Sequence, residues 1–252
     1  MKKHMTVIKA TSHLAIAGLI LLGMAFRSSA GEAVIPPSDL PYGLSYEEWS
    51  AKWWQFYLGQ STNHLEAIGD PAICSGPASS VRFLNEPLGG GTVTNKAIIS
   101  HGTPLFFAVV ALVADNTACP ISDFTTNTPE QLAAEVEGGW TALANVTTCT
   151  IDEVPVAGLE DPTNSIYNVV SPPFSYTTAE KGNVLPFVEG EDCIPGGLTV
   201  YPAEADGVYL MLSPLSPGKH KIHIVGVLGP LSSPYADYDV TYDLEVLPDC
   251  GR

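Results

Sequence analysis

The hydrophobic pattern of this chain changes period along its length. From Tyr46 the aromatic positions recur at helical spacing. At 100° per residue, Tyr46, Trp49, Trp53, Phe56 and Tyr57 share an arc of about 100°, with Glu48 and Lys52 outside it, four residues apart and able to pair. Ser45 with Glu48 three residues on makes a capping box, and Gly59 closes the stretch. The spacing predicts a helix over 46–58 whose aromatic stripe covers something large and apolar. A second helix is predicted over 129–144: Thr128 caps, Pro129 sits in the first turn, Gln131 completes the box, and Leu132, Val136, Trp140 and Leu143 recur on one face. Gly138-Gly139 works against it, each costing about 1 kcal/mol relative to alanine.

Elsewhere the period is two, or the apolar run is unbroken. Over 239–247, Val240, Tyr242, Leu244 and Val246 alternate with Asp239, Thr241, Asp243 and Glu245, which predicts an antiparallel strand with one buried and one wet face. The run LFFAVVALV at 105–113 predicts a central strand buried on both faces. Residues 208–212 and 219–228, around a Pro/Gly turn at 213–218, read as a β-hairpin. Shorter strands fit 80–85, 92–99, 166–170, 174–177 and 198–201. Glycine and proline are scattered between these segments as punctuation. The fold expected is mostly β: a single antiparallel β-sandwich, Ig-like or jelly-roll-like, over 31–252, with an N-terminal Trp-rich helix and one helical insertion.

Residues 1–30 read as an address. Lys2, Lys3 and Lys9 precede an uncharged run of 13 residues at 14–26, and Ser28-Ser29-Ala30 supplies small residues for cleavage. This is the layout of a secretory signal peptide. The apolar run is shorter than the roughly 20 residues a membrane-crossing helix needs, so no integral membrane anchor is expected. The expected location is secreted or periplasmic.

Cleavage sharpens the charge. The whole chain has 252 residues and a net charge of −16. The leader removes four of the 11 basic residues and none of the 27 acids, leaving −20 on 222 residues. Such a surface is repelled by phosphate backbones and anionic lipid, which argues against nucleic-acid partners. All five cysteines (Cys74, Cys119, Cys149, Cys193 and Cys250) lie beyond the leader. Export favours pairing. The connectivity is open, with Cys119–Cys149 preferred on spacing; such a closure is worth roughly 3–4 kcal/mol.

Candidate chemistry is sparse. There is no Gly-x-Ser-x-Gly, no P-loop and no Cys-x-x-Cys; Ser216-x-x-Lys219 is interrupted by Pro217-Gly218, which force a turn where a helix would be needed. His220 and His223, three apart on a strand, point to opposite faces: one should bond on the core side, the other face water. His101, at a turn into the apolar strand, is one weak catalytic candidate and Glu47 is the other. Glu47 lies beside Trp54 on the helical wheel, at the edge of the stripe, an arrangement a sugar-binding face would use; the competing reading packs Trp54 under a loop. Acid clusters at Glu189, Glu191 and Asp192 and at Glu204 and Asp206 admit calcium on loops, although neither has EF-hand spacing and a solvated acidic surface is the simpler account. No other cofactor is implied.

The segment 42–56, YGLSYEEWSAKWWQF, resembles a widespread family of secreted bacterial proteins with a Tyr-Gly-x-Ser-Tyr-x-Glu-Trp-x-x-x-Trp-Trp-Gln-aromatic motif after the signal peptide. Matching pieces follow in order: Gly76-Pro77 with Val81-Arg82-Phe83-Leu84, Gly90-Gly91-Thr92-Val93-Thr94, Gly102-Thr103-Pro104-Leu105-Phe106-Phe107, Ser171-Pro172-Pro173-Phe174-Ser175, and 214–223 (PLSPGKHKIH). The resemblance implies export and a shared β-rich fold; it implies no substrate. Two functions are carried forward. The first is a secreted binding or scaffolding β-sandwich for a small molecule or glycan, in an oligomeric state the sequence leaves open. The second is a carbohydrate-active or other hydrolytic enzyme using Glu47 and a further acid.

Overall fold

The continuous apolar run is a central strand, as its pattern predicts. In the computed structural model, which describes residues 33–62, 81–85, 91–188 and 193–248, β4 (Leu105–Asp115) is buried over its first seven residues. It pairs antiparallel with β9 (Thr199–Leu212), the longest strand described. The other edge of β9 is shared by three short antiparallel strands: β1 (Val34–Ile35), β7 (Asn168–Val170) and β8 (Phe174–Thr177). With β2 (Arg82–Phe83), parallel to β4 on its far side, they form a six-stranded sheet.

A second sheet has five strands in the order β3 (Gly91–Ser100), β11 (Ala236–Leu247), β10 (Gly218–Leu228), β5 (Ala144–Ile151) and β6 (Val154–Pro155). Inward Val240, Tyr242, Leu244 and Val246 are buried on β11, as the alternation predicts. The two sheets approach closely where β10 crosses β4. A Cβ on Gly226 would stand 2.8 Å from both the Val109 carbonyl oxygen and Val110 Cβ, at the point where a register shift bulges β4 between Ala108 and Val110. One hydrophobic core runs through both sheets and both long helices.

Two fold expectations need correction. The sheets are not purely antiparallel, because β3 runs parallel to β11 and β2 parallel to β4. Parallel neighbours need long connections, and Ser100 and Ala236 are separated by most of the chain; the alternation within one strand carries no sign of its partner's direction. The expected hairpin is also absent. β9 lies in the first sheet and β10 in the second, paired with β5 and β11, and 213–217 carries the chain between sheets. A Pro/Gly turn flanked by two apolar strands reads the same whether the strands pair or part.

Both predicted helices form with their capping boxes: α1 (Tyr46–Leu58) and α2 (Pro129–Leu143). They cover opposite faces of the first sheet. Tyr209 of β9 faces α1, where its hydroxyl accepts the Trp54 indole N–H at 2.7 Å. Glu204 and Asp206, of opposite parity on the same strand, lie under α2, as does Leu112 of β4, which is 3.4 Å from the position a Cβ on Gly139 would take. The second sheet covers the rest of that face.

Candidate functional site

The aromatic helix is structural. Its buried arc is wider than the predicted stripe and is displaced toward Trp54, because the helix sinks between β4 on one side and β7 and β8 on the other. Trp54 is 2 % exposed while Phe56, inside the predicted stripe, is 38 % exposed. Every indole on α1 has an acceptor: Trp49 donates to the Pro41 carbonyl, Trp53 to the Leu84 carbonyl and Trp54 to Tyr209 Oη. The Tyr46 hydroxyl donates to the Ile35 carbonyl and accepts the Met211 N–H. Trp54 is therefore unavailable as a sugar platform. Glu47 is exposed in the first turn of α1, separated from any ligand Trp54 was expected to hold. His101 is exposed on the β3–β4 turn, its backbone N–H donating to the Leu247 carbonyl.

The bridge expected between Cys119 and Cys149 is instead Cys119–Cys193. Cys149 faces the core from β5 on the same side as Ile151, 2 % exposed, and burial pushes its thiol up to about 12. It is an inert core thiol. Cys74, Cys250 and the acidic segment with Glu189, Glu191 and Asp192 lie outside the described residues, as does the leader expected over 1–30. Glu204 and Asp206 are not on a loop; they sit mid-strand on β9, 2 % and 3 % exposed. Among the described residues no three His, Cys, Asp or Glu side chains come together in a way that could hold a metal ion.

Beside the disulfide lies a groove of about 380 Å³, within the usual size range of small-molecule sites. One wall is 116–117 with 124–127, the other 198–202. Among the described residues its lining is asparagine, threonine and apolar side chains, with the rings of Phe124 and Tyr201 and not one charged group. Tyr201 is 63 % exposed at the rim. Asn116 braces its wall: its amide donates to the Asn127 carbonyl, and its Oδ1 accepts the Thr125 hydroxyl and the Asn127 N–H. The Cys119–Cys193 bridge ties the segment carrying the first wall to the segment leading into the second.

Next to the groove along β9 two acids are buried with no paired base among the described residues. One oxygen of Glu204, Oε2, is buried with no hydrogen-bond partner in the structure. Asp206 Oδ1 accepts from the Asn168 amide at 2.6 Å. Burial, reinforced by the charge of Glu130 on α2, pushes the Glu204 carboxyl up to about 7 against a bond from Ser171 that lowers it. Burial likewise pushes Asp206 up to about 6 despite its bond from Asn168, with Glu137 adding to the rise. The ion pairs among the described residues involve neither acid.

At the start of β10 the fold also assembles a serine, a histidine and an aspartate that sequence reasoning did not join. His220 Nδ1 lies 2.7 Å from Asp152 Oδ2, and Ser216 Oγ lies 3.4 Å from Nε2. However, Nε2 is 2.8 Å from the Ser216 carbonyl oxygen. A nitrogen facing a carbonyl must carry hydrogen, so it cannot take the hydroxyl's proton, and the serine is not activated. The arrangement is a clasp, pinning the crossover at 213–217 to the β5–β6 turn, where Asp152 also accepts the Lys221 N–H. His220 does bond on the inward side of its strand, and His223 is the wetter of the two, paired with Asp239 at 2.8 Å.

The groove was not legible in sequence: its walls come from segments some 80 residues apart, and threonine and asparagine there read as loop. No family model, no curated protein and no solved structure matches this chain.

Proposed function

We propose that this chain is an exported binding protein, a β-sandwich whose ligand is a neutral glycan held in the groove between 124–127 and 198–202. The observation that carries the reading is the absence of charge among the described residues of the groove's lining in a chain with 27 acids. A surface this acidic repels anionic ligands, and a lining without carboxylates gives cations nothing to pair with. Hydroxyl- and amide-bearing walls flanked by two rings suit a ligand that is uncharged, rich in hydroxyls and partly apolar on its ring faces, which is the chemistry of a sugar. The leader and the disulfide are consistent with passage into an oxidising compartment. The hydrolytic alternative loses its first acid, because neither Glu47 nor any other acid among the described residues lines the groove.

The test is a glycan array probed with the protein and with Tyr201→Ala. Binding of neutral oligosaccharides that falls at least tenfold in the variant supports the reading. Equal binding by both proteins, or binding confined to charged glycans, overturns it. Tyr201 is exposed, so its removal leaves the melting temperature within a degree or two, which separates a lost contact from a lost fold.

A further inference from the structure

The groove and the buried acids share a helix. The wall at 124–127 runs directly into Thr128, the cap of α2, whose first turn carries Glu130; the helix packs over β9, where Glu204 Oε2 is buried without a partner, and the charge of Glu130 adds to the rise of the Glu204 carboxyl. Glu130 is itself kept ionised: a bond to its own backbone N–H and one from Thr128 hold its carboxyl below the usual range. Glu204 beneath it is neutral as long as it keeps its proton. Resting on the glycan reading above, we infer that the groove is gated by proton: ionisation of Glu204 sets its carboxylate against Glu130, lifts the first turn of α2, and draws the 124–127 wall out of its binding position.

The groups around Glu204 leave no other outlet. From α2 come Glu130 and, further along toward Asp206, Glu137, both acidic. From the segment joining β7 and β8 comes Ser171, whose hydroxyl also accepts the Ala205 N–H and so is fixed. Asn168 of β7 is committed to Asp206 and the Gly207 carbonyl. On β4 the neighbours of matching register are Leu112 and Ala114, which carry no charge. Among the described residues no basic group is paired with either acid to take up a second negative charge. Between the two elements that face each other, β9 is held by hydrogen-bonded strands on both edges, whereas α2 rests on one face and carries Gly138-Gly139. The helix is the element that yields. Charge at Glu204, about 7 at its midpoint, develops across the neutral range, so the groove is formed in mild acid and loosened in mild base.

The experiment titrates the protein with maltohexaose, cellohexaose, xylohexaose and mannohexaose at pH 5.5 and 8.5, alongside Glu204→Gln and Glu130→Gln. In parallel, hydrogen exchange on 125–143 is followed without ligand, with protection corrected for intrinsic rates. The expected result is at least tenfold tighter binding at pH 5.5, a ratio within twofold in Glu204→Gln, and an intermediate ratio in Glu130→Gln. Protection of 125–143 should fall at pH 8.5 in the unmodified chain, fall less in Glu130→Gln and hold in Glu204→Gln. Equal affinity at both pH values overturns the gate and leaves the groove standing. Protection that falls with pH while no hexasaccharide binds at either pH supports the helix movement and overturns the glycan reading. Protection unchanged with pH overturns the movement whatever binds. Should Glu204→Gln fold poorly, Glu130→Gln carries the same test, because it removes the opposing charge without touching the buried site.

Discussion

On one face of β9, α1 brings three indoles and the Tyr46 phenol, and the four polar atoms they bury are satisfied: the Trp49, Trp53 and Trp54 N–H groups donate, and the Tyr46 hydroxyl both donates and accepts. On the other face, α2 lies over two carboxyl groups, and the Glu204 Oε2 and Trp140 Nε1 atoms are buried without partners. The helices are alike in length, capping and burial of one face. What separates them is polar accounting. A buried donor that finds its acceptor adds about 1 kcal/mol, while one that does not costs about 1–3 kcal/mol. The α1 face is therefore built to be permanent, and the α2 face is held at a cost that depends on protonation.

The largest way to break that contrast is on the permanent side. Trp54→Ala removes a side chain that contacts Trp53 and Tyr57 edge-on at 5.0 and 5.7 Å and donates to the Tyr209 hydroxyl. A loss of about 3–5 kcal/mol is expected from truncating a buried tryptophan, read from urea denaturation, and the loss should be the same at pH 5 and pH 8. A loss that varies with pH would mean that the two faces are coupled.

The next effect has the opposite sign. Glu204 is raised from 4.5 to about 7 and Asp206 from 3.8 to about 6. In both, the folded state holds its proton more tightly than the unfolded chain. Their contribution is therefore fully present below about pH 4 and is lost as pH rises through the folded values near 6 and 7. The protein should lose stability between pH 4 and pH 8 on their account. Glu204→Gln should be stabilising by about 2–3 kcal/mol at pH 8 and near neutral at pH 4, with denaturation midpoints as the measure. A variant destabilised at both pH values would show that the acid is wanted in that place for its shape or its bonds.

Much of the scaffold behind this comparison can be read from the chain. Ser45-x-x-Glu48 and Thr128-x-x-Gln131 announce both helices, because capping is local and each box is completed within four residues. The β11 alternation and the apolar β4 run are equally local. What could not be read depends on contacts made at a distance. Trp54 looked like an edge because a helical wheel cannot show how deep the helix will sink between its neighbours. Glu204-Ala205-Asp206-Gly207 looked like a loop because carboxylates inside a strand are costly, and only the strands on both edges of β9 and the helix above it explain how they are tolerated. Cys119 met Cys193 rather than Cys149 because β5, which holds Cys149, turns that side chain into the core. The groove is a product of the same long-range assembly, so its threonines and its single exposed tyrosine carried no local signal.

The smallest predicted effect compares the two helices on equal terms. Ser45→Ala and Thr128→Ala delete the same interaction, a side-chain oxygen accepting the N–H three residues on, from Glu48 and from Gln131 respectively. Each should cost about 1 kcal/mol of global stability. The difference should appear in local opening. α1 is pinned by its aromatic face, so its amides can exchange only when the whole protein unfolds, and Ser45→Ala should lower their protection only by the global loss. α2 has no such anchor over Glu204, and fraying its first turn relieves the approach of Glu130. Thr128→Ala should therefore lower the protection of 129–135 by more than the global loss, and by more at pH 8 than at pH 5. Equal behaviour of the two helices in native-state hydrogen exchange would show that polar accounting at the sheet face does not set their mobility, and the contrast drawn between the two faces would fall with it.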